Sequence, residues 1–242
     1  FSEQCRQVVS ITEPGHTDAL EFMDGKIMLG KMNNLVDVGW ENLLEKLSIQ
    51  ELTDMIASSR LIAFTNWTML SNLNGIIEGF SRIMKEHKMR PLIFLDLADP
   101  KKRTAEDIRG VLSLISDIPA ETILSMNLSE SATIALTLGI KEDDILTRAM
   151  RIREHMGISA IVIHPVNGAA IAHQQESLWM EGPYTPKPKL TTGAGDNFNA
   201  GFCNAWLAGG SPGERLAAGV CSSGFYVRAA RSANRKDLIQ FM

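Results

Sequence analysis

The chain has 242 residues, of which 45% are hydrophobic and 21% charged, with a formal net charge of −4. These values are ordinary for one large globular domain, or for a domain with a small appendage. No basic run, no apolar stretch longer than a strand and no signal-peptide pattern occurs, so neither nucleic acid nor a membrane is expected as a partner, and a cytoplasmic protein is.

Cys5 to Thr12 reads as a strand. Ala19 to Met23 and Lys26 to Leu29 flank Asp24-Gly25, a hairpin signal. Trp40 to Leu47 has helical spacing, and Ser48-Ile49-Gln50-Glu51 is a capping box opening another short helix. Arg60 to Thr65 is a strand, and Ser71 can cap a helix running to His87. Pro91 to Leu97 is nearly continuous in apolar residues, the pattern of a buried parallel strand. Thr104 caps a helix to Asp117, and Thr122 to Met126 is a short strand. Ser129 begins a helix ending at Gly139, and Glu142 to Met156 is a helix stopped by Gly157. Ser159 to His164 is a strand with which Gly168 to His173 pairs. Gln174 to Leu190, with Pro183, Pro186 and Pro188, reads as irregular. Ser211-Pro212-Gly213-Glu214 starts a long helix to Arg231, and Asn234 caps a last one to Met242. Strands alternating with helices from Arg60 to Met156 predict an α/β fold, a mostly parallel sheet with helices on both faces.

The three cysteines, Cys5, Cys203 and Cys221, have no metal-ligand spacing and read as reduced thiols, the last two in the core. The five histidines show no zinc spacing and no triad.

The stretch with the clearest chemistry is Thr191-Thr192-Gly193-Ala194-Gly195-Asp196, which leads straight into a helix. A glycine-rich turn at a helix N-terminus presents free backbone N–H groups and the positive end of the helix dipole, an anion site needing no basic side chain. Asp196 beside it is placed to take a proton from a hydroxyl that attacks a phosphoryl group. Gly-x-Gly-Asp alone is equally the pattern of a plain turn with an N-capping Asp. The helix that follows is lined with Ala200, Gly201, Ala205 and Ala208, residues suited to close packing.

The string from Thr191 to Phe202, Thr-Gly-Ala-Gly-Asp followed by Phe and Ala-Gly-Phe, resembles the signature of the ribokinase-like (PfkB-type) carbohydrate kinases. The resemblance runs from about Arg60 to the end and more loosely over the hairpin. It implies a ribokinase-like fold, one domain over residues 1–242, with a small incomplete β lid or edge hairpin within residues 5–30. It implies ATP-dependent phosphoryl transfer to a hydroxyl of a sugar, with Asp196 as general base and Gly193, Ala194 and Gly195 as the anion hole. A nucleoside or vitamin-precursor kinase of the same fold, and a catalytically silent nucleotide or sugar sensor, are the alternatives. Asn127-Leu128-Ser129-Glu130 resembles the family's Asn-x-x-Glu motif, so Asn127 and Glu130 are expected to place Mg²⁺ through water together with the ATP phosphates; alone, both are ordinary capping residues. Thr192, Gly195 and Asn234 complete the expected nucleotide contacts, Asn234 at the border of the adenine pocket or simply as a cap. Asp96 and Asp99, in a string only loosely like the family's Asp-x-Asn-x-Arg, lie at a strand end near the cleft or serve as turn residues.

Three departures stand out. No Gly-Gly pair occurs before Gly209, so the family's first strand, part of the lid and many sugar contacts lie upstream of Phe1 or are lost. Leu190 stands where the family often has an Asp associated with a monovalent cation, which leaves an activating K⁺ doubtful. The family's Thr-x-Gly at the strand end is His164-Pro165-Val166, an imidazole and a rigid ring near the phosphates. Family members often dimerise through the lid, so a homodimer is a further expectation.

Overall fold

The computed structural model describes residues 4–23, 25–174 and 176–241. The chain opens with an antiparallel hairpin, β1 (His16–Phe22) and β2 (Gly25–Lys31), then two short helices, α1 (Trp40–Leu44) and α2 (Ile49–Ser58). Asp24, half of the expected turn, lies outside the described residues. The sheet elements follow: β3 (Leu61–Thr65), α3 (Leu73–Glu86), β4 (Leu92–Asp96), α4 (Ala105–Ser116), β5 (Thr122–Met126), α5 (Leu128–Thr137), α6 (Ile145–Met156), β6 (Ala160–Ile163), β7 (Gly168–His173) and β8 (Ser177–Glu181). Three helices close the chain, α7 (Ala194–Leu207), α8 (Pro212–Ala229) and α9 (Arg235–Phe241).

β3 to β8 form one sheet in sequence order; β3 to β6 pair in parallel, and β7 and β8 are added antiparallel. Strands laid down in one direction by right-handed crossovers send α3 to α6 to a single face. Ile93, Leu95, Leu124 and Ile161 accordingly share a core with Ile77, Val111, Ile134 and Ile152 of those helices. The alternate residues, Phe94, Ile123, Val162 and Ile171, pack on the opposite face against Phe198 and Phe202 of α7 and Leu216 of α8. Burial on both faces explains why β4 and β6 read as unbroken apolar runs. Capping boxes at Ser48, Thr104, Asn127 and Ser211 start α2, α4, α5 and α8.

Two expected segments differ. Cys5 to Thr12 joins no ladder; Val9 and Ile11 pack on the core through their side chains alone. Apolar spacing reports burial, which an extended segment satisfies as well as a strand does. Within the stretch read as irregular, residues 177–181 form β8, because the prolines from Pro183 onward end that strand and do not interrupt it. Smaller shifts concern helix starts: Asn72 replaces Ser71 as the N-cap of α3, and Asp144 caps α6. Cys203 and Cys221 pack against the core as expected, and burial pushes the Cys203 thiol up to about 12. Among the described residues no helix is long and apolar enough to cross a membrane.

Candidate active site

The parallel strands end on one side of the sheet, and the turn before α7 lies there. Gly193 is the N-cap of α7 with φ +91° and ψ 0°, a left-handed backbone that a side chain disfavours. The turn is closed by Ala194 N donating to Thr191 O at 3.1 Å and by Asn197 N donating to Gly193 O at 3.0 Å. The Tyr226 hydroxyl, reaching over from α8, donates to Thr192 O at 2.7 Å, and a Cβ on Gly193 would come within 2.9 Å of it. Further along, Gly201 lies directly against Ser222 and the Ala218 carbonyl of α8, so the small residues of α7 do serve close helix packing. The turn is thus held from below by a rigid helix pair. By helix geometry, the amides of Gly195 and Asp196 have no acceptor within α7.

A cavity of about 550 Å³ opens against this turn. Asn127, His164, Gly193, Ala194 and Gly195 line it, together with Pro183, Tyr184 and Pro186 and with Val220, Gly224 and Val227 of α8. His164, at the end of β6, stacks on Phe198 with ring centroids 4.6 Å apart. Its Nε2 is buried without a hydrogen-bond partner among the described residues. Burial brings its pKa down to about 4, so the ring is neutral near pH 7. A Cβ on Gly195 would sit 3.5 Å from its Cε1, so the imidazole fills the space beside the anion turn.

A polar network runs under the turn along the ends of β4 and β5. The Asp96 carboxylate accepts from Ala98 N at 3.0 Å and from Asn199 Nδ2 at 2.7 Å, and Asn199 Oδ1 accepts from the buried Ser125 hydroxyl at 2.8 Å. Burial raises the Asp96 pKa, the two hydrogen bonds oppose this, and the negative charge of Asp196 adds to the rise. Glu130 accepts from Asn127 N at 2.8 Å and from Asp99 N at 3.0 Å. Its pKa is likewise raised, first by burial and then by the charges of Asp96 and Asp99, against the pull of its two amide bonds. Asp99 is held at φ +60° next to Ala98 at φ +55°. Asp196 itself is exposed, and its side chain makes no hydrogen bond among the described residues.

These residues fit a divalent cation only indirectly. No group of three or more His, Cys, Asp or Glu among the described residues could cage one. Asn127 Oδ1 caps α5 by accepting from Glu130 N at 3.0 Å, which leaves its Nδ2 as a donor. Each Glu130 oxygen already faces one backbone amide, with capacity left for water. Such a site suits Mg²⁺ carried by phosphates and water.

The structure therefore brings Asn127, Gly193, Ala194 and Gly195 together around one cavity, with Asp196 in the same turn. Glu130 lies behind Asn127 as the reciprocal half of its cap. Thr192 is not on the cavity wall; its amide donates at 2.9 Å to Glu21 of β1, and its hydroxyl donates to the same carboxylate. Asn234 is off the wall too, its Oδ1 accepting from Lys236 N at 2.9 Å and Asp237 N at 3.1 Å. Sequence reasoning passed over Ser125, Asn199, Tyr226 and Glu21. A lone serine in an apolar strand and an asparagine on the packed face of α7 were available signals for the first two. Glu21 is 170 residues from Thr191 and carries no sequence signal.

Comparison with known proteins identifies the family and the fold. The family model of prokaryotic ketohexokinase matches residues 1–242. A ketohexokinase of Haloferax volcanii is 25% identical over 236 residues, covering 96% of this chain and 63% of that protein. The chain thus spans under two thirds of that relative's length. Among solved structures, adenosine kinase from Schistosoma mansoni in complex with 2-fluoroadenosine superposes with a TM-score of 0.72 at 17% identity, over 90% of this chain and 63% of that one. Ribokinase from Thermotoga maritima superposes with a TM-score of 0.68 at 15% identity, over 95% of this chain and 70% of that one. The ribokinase-like fold is borne out.

Proposed function

The chain belongs to the prokaryotic ketohexokinase family, and on that premise we propose that it takes part in ATP-dependent phosphorylation of a ketohexose hydroxyl. The observation that carries this reading is the left-handed turn at Gly193, fixed against a cavity with the Asp196 carboxylate exposed beside it. An exposed carboxylate with no hydrogen bond is available as a base, whereas Asp96 and Glu130 are each spent on two donors.

The roles follow from the groups. Asp196 removes the proton from the sugar hydroxyl as that oxygen attacks the γ-phosphorus. The amides around Gly193, Ala194 and Gly195, with the α7 dipole behind them, stabilise the charge on the transferring phosphoryl group. Gly193 lets the backbone approach because no Cβ intervenes. The nucleotide lies in the cavity, its phosphates toward Asn127 and the turn and its base between the proline wall and α8. Asn127 and Glu130 would hold Mg²⁺ through water, and the ion would supply charge neutralisation along the phosphates. Thr192 shapes the turn from outside, Asn234 caps α9 away from the cavity wall, and Leu190 offers no side-chain ligand to an activating K⁺. The hairpin β1–β2 acts as the lid. Its exposed Leu20, Phe22, Ile27 and Leu29 are the surface on which a homodimer would form.

The test is ADP release from Mg-ATP by the full-length protein with ketohexoses, aldohexoses, sugar acids and nucleosides. Turnover of a ketohexose is expected, abolished in Asp196→Asn while ADP binding is kept. Turnover of nucleosides alone would overturn the sugar reading, and near-parental turnover by Asp196→Asn would overturn the base.

A further inference from the structure

The hairpin β1–β2 has no core of its own. Leu20, Phe22, Ile27, Met28 and Leu29 are all exposed, on both strands. A two-stranded hairpin in water is marginal at best, so its position beside the Gly193 turn needs an anchor. One residue of β1 supplies it. The Glu21 carboxylate accepts from Thr191 N at 3.2 Å, Thr192 N at 2.9 Å and Thr191 Oγ1 at 3.3 Å, and also from the Thr192 hydroxyl. All four donors belong to the shoulder of the anion turn, two residues before Gly193. The same shoulder is tied from its other side by Tyr226 on Thr192 O.

We propose that Glu21 is a positioning residue that fastens the β1–β2 lid to the Thr191–Thr192 shoulder, so that lid closure over the sugar is registered on the turn that carries Asp196. Glu21 touches neither reacting atom. It acts by setting where the hairpin sits relative to the anion hole, and a carboxylate suits the task because it accepts from four donors at once where a neutral side chain would leave some unpaired. The hydrogen bonds, those from Thr192 foremost, hold its pKa down to about 2, so the fastening is present throughout the physiological range. The kinetic consequence rests on the sugar-kinase reading; the fastening itself does not.

Two measurements on the full-length protein test it, with Glu21→Ala and Glu21→Gln. Because Glu21 lies outside the core, Glu21→Ala should lower the urea midpoint by no more than the weakened fastening accounts for, about 1.4 kcal/mol for a tenfold change, and Glu21→Gln by less. Amide exchange across residues 16–31 should speed up at least about tenfold in Glu21→Ala without substrate, while α7 and the central strands keep their protection. Glu21→Gln, which keeps one acceptor oxygen, should fall between. In turnover, sugar KM should rise about tenfold in Glu21→Ala with kcat within about twofold and the ATP KM unmoved, again with partial rescue by Gln. Unchanged exchange in the hairpin would overturn the fastening. Faster exchange with an unchanged sugar KM would overturn the positioning role. A parent protein that phosphorylates no sugar would refute the kinase reading, and exchange would still decide whether Glu21 holds the hairpin.

Discussion

Replacing Gly193 by alanine tests the anion turn from two independent directions. The backbone there is left-handed at φ +91°, which costs a residue with a Cβ about 1–2 kcal/mol. The new Cβ would also press on the Tyr226 hydroxyl at 2.9 Å and displace its bond to Thr192 O, worth about 0.5–1.5 kcal/mol. Gly193→Ala should therefore destabilise the protein by about 2–3 kcal/mol, read as a lower urea midpoint at unchanged m-value. Tyr226→Phe alone should cost only the hydrogen bond. In the double variant that bond is already gone, so its loss should match Gly193→Ala alone and fall short of the sum of the singles by about 1 kcal/mol. On the proposed reading, turnover should drop about a hundredfold in Gly193→Ala, because the amides would shift from the phosphoryl group. A Gly193→Ala variant within about 0.5 kcal/mol of the parent, or strict additivity in the cycle, would refute the described turn.

Further outcomes follow from the buried polar groups. Ser125→Ala leaves Asn199 Oδ1 without its buried donor and should cost about 1–3 kcal/mol in urea unfolding, more than an exposed serine would. His164 has a folded pKa near 4, below its unfolded value, so the unfolded state binds the proton first and stability falls as pH drops from about 6.5 toward 4. That loss amounts to at most about 3 kcal/mol; comparing urea midpoints at pH 7 and pH 5, the parent should lose more stability than His164→Thr does, and equal losses would remove His164 as the cause. The Asp196→Asn and Glu21 variants complete the set.

Most of the fold could be read from the chain because its signals are local. Capping boxes at Ser48, Thr104 and Ser211 mark helix starts within four residues, and the apolar runs of β4 and β6 announce strands buried on both faces. The misreadings arose where the deciding contact is not local. Residues 5–12 have strand-like spacing, but a ladder requires a partner edge that their own sequence does not encode. β8 was hidden by the prolines that end it. The site divides in the same way. Gly193 to Asp196 lies in one continuous string and was legible. The link Asp96–Asn199–Ser125 joins three distant segments, and only the folded sheet brings them together. At His164 the departure from the family pattern was legible but its environment was not, since the Phe198 stack and the buried Nε2 depend on α7 packing across β6.

The two parts of the site differ in how firmly they are held, and the difference follows from burial. The anion turn sits on α7, whose Phe198, Phe202 and Trp206 are buried in the second core and whose Gly201 is locked against α8. Opening it means opening that core, so its local stability approaches that of the whole fold. The hairpin buries almost nothing, and its bonds to the shoulder through Glu21 can break without disturbing either core. Phosphoryl transfer needs its donors fixed before the charge develops, because reorganising them at that moment would cost the stabilisation they provide. Sugar entry and product exit need the opposite, a cover that yields. On the proposed reading, chemistry on the buried helix and a cover on the exposed hairpin, with one carboxylate between them, would meet both requirements.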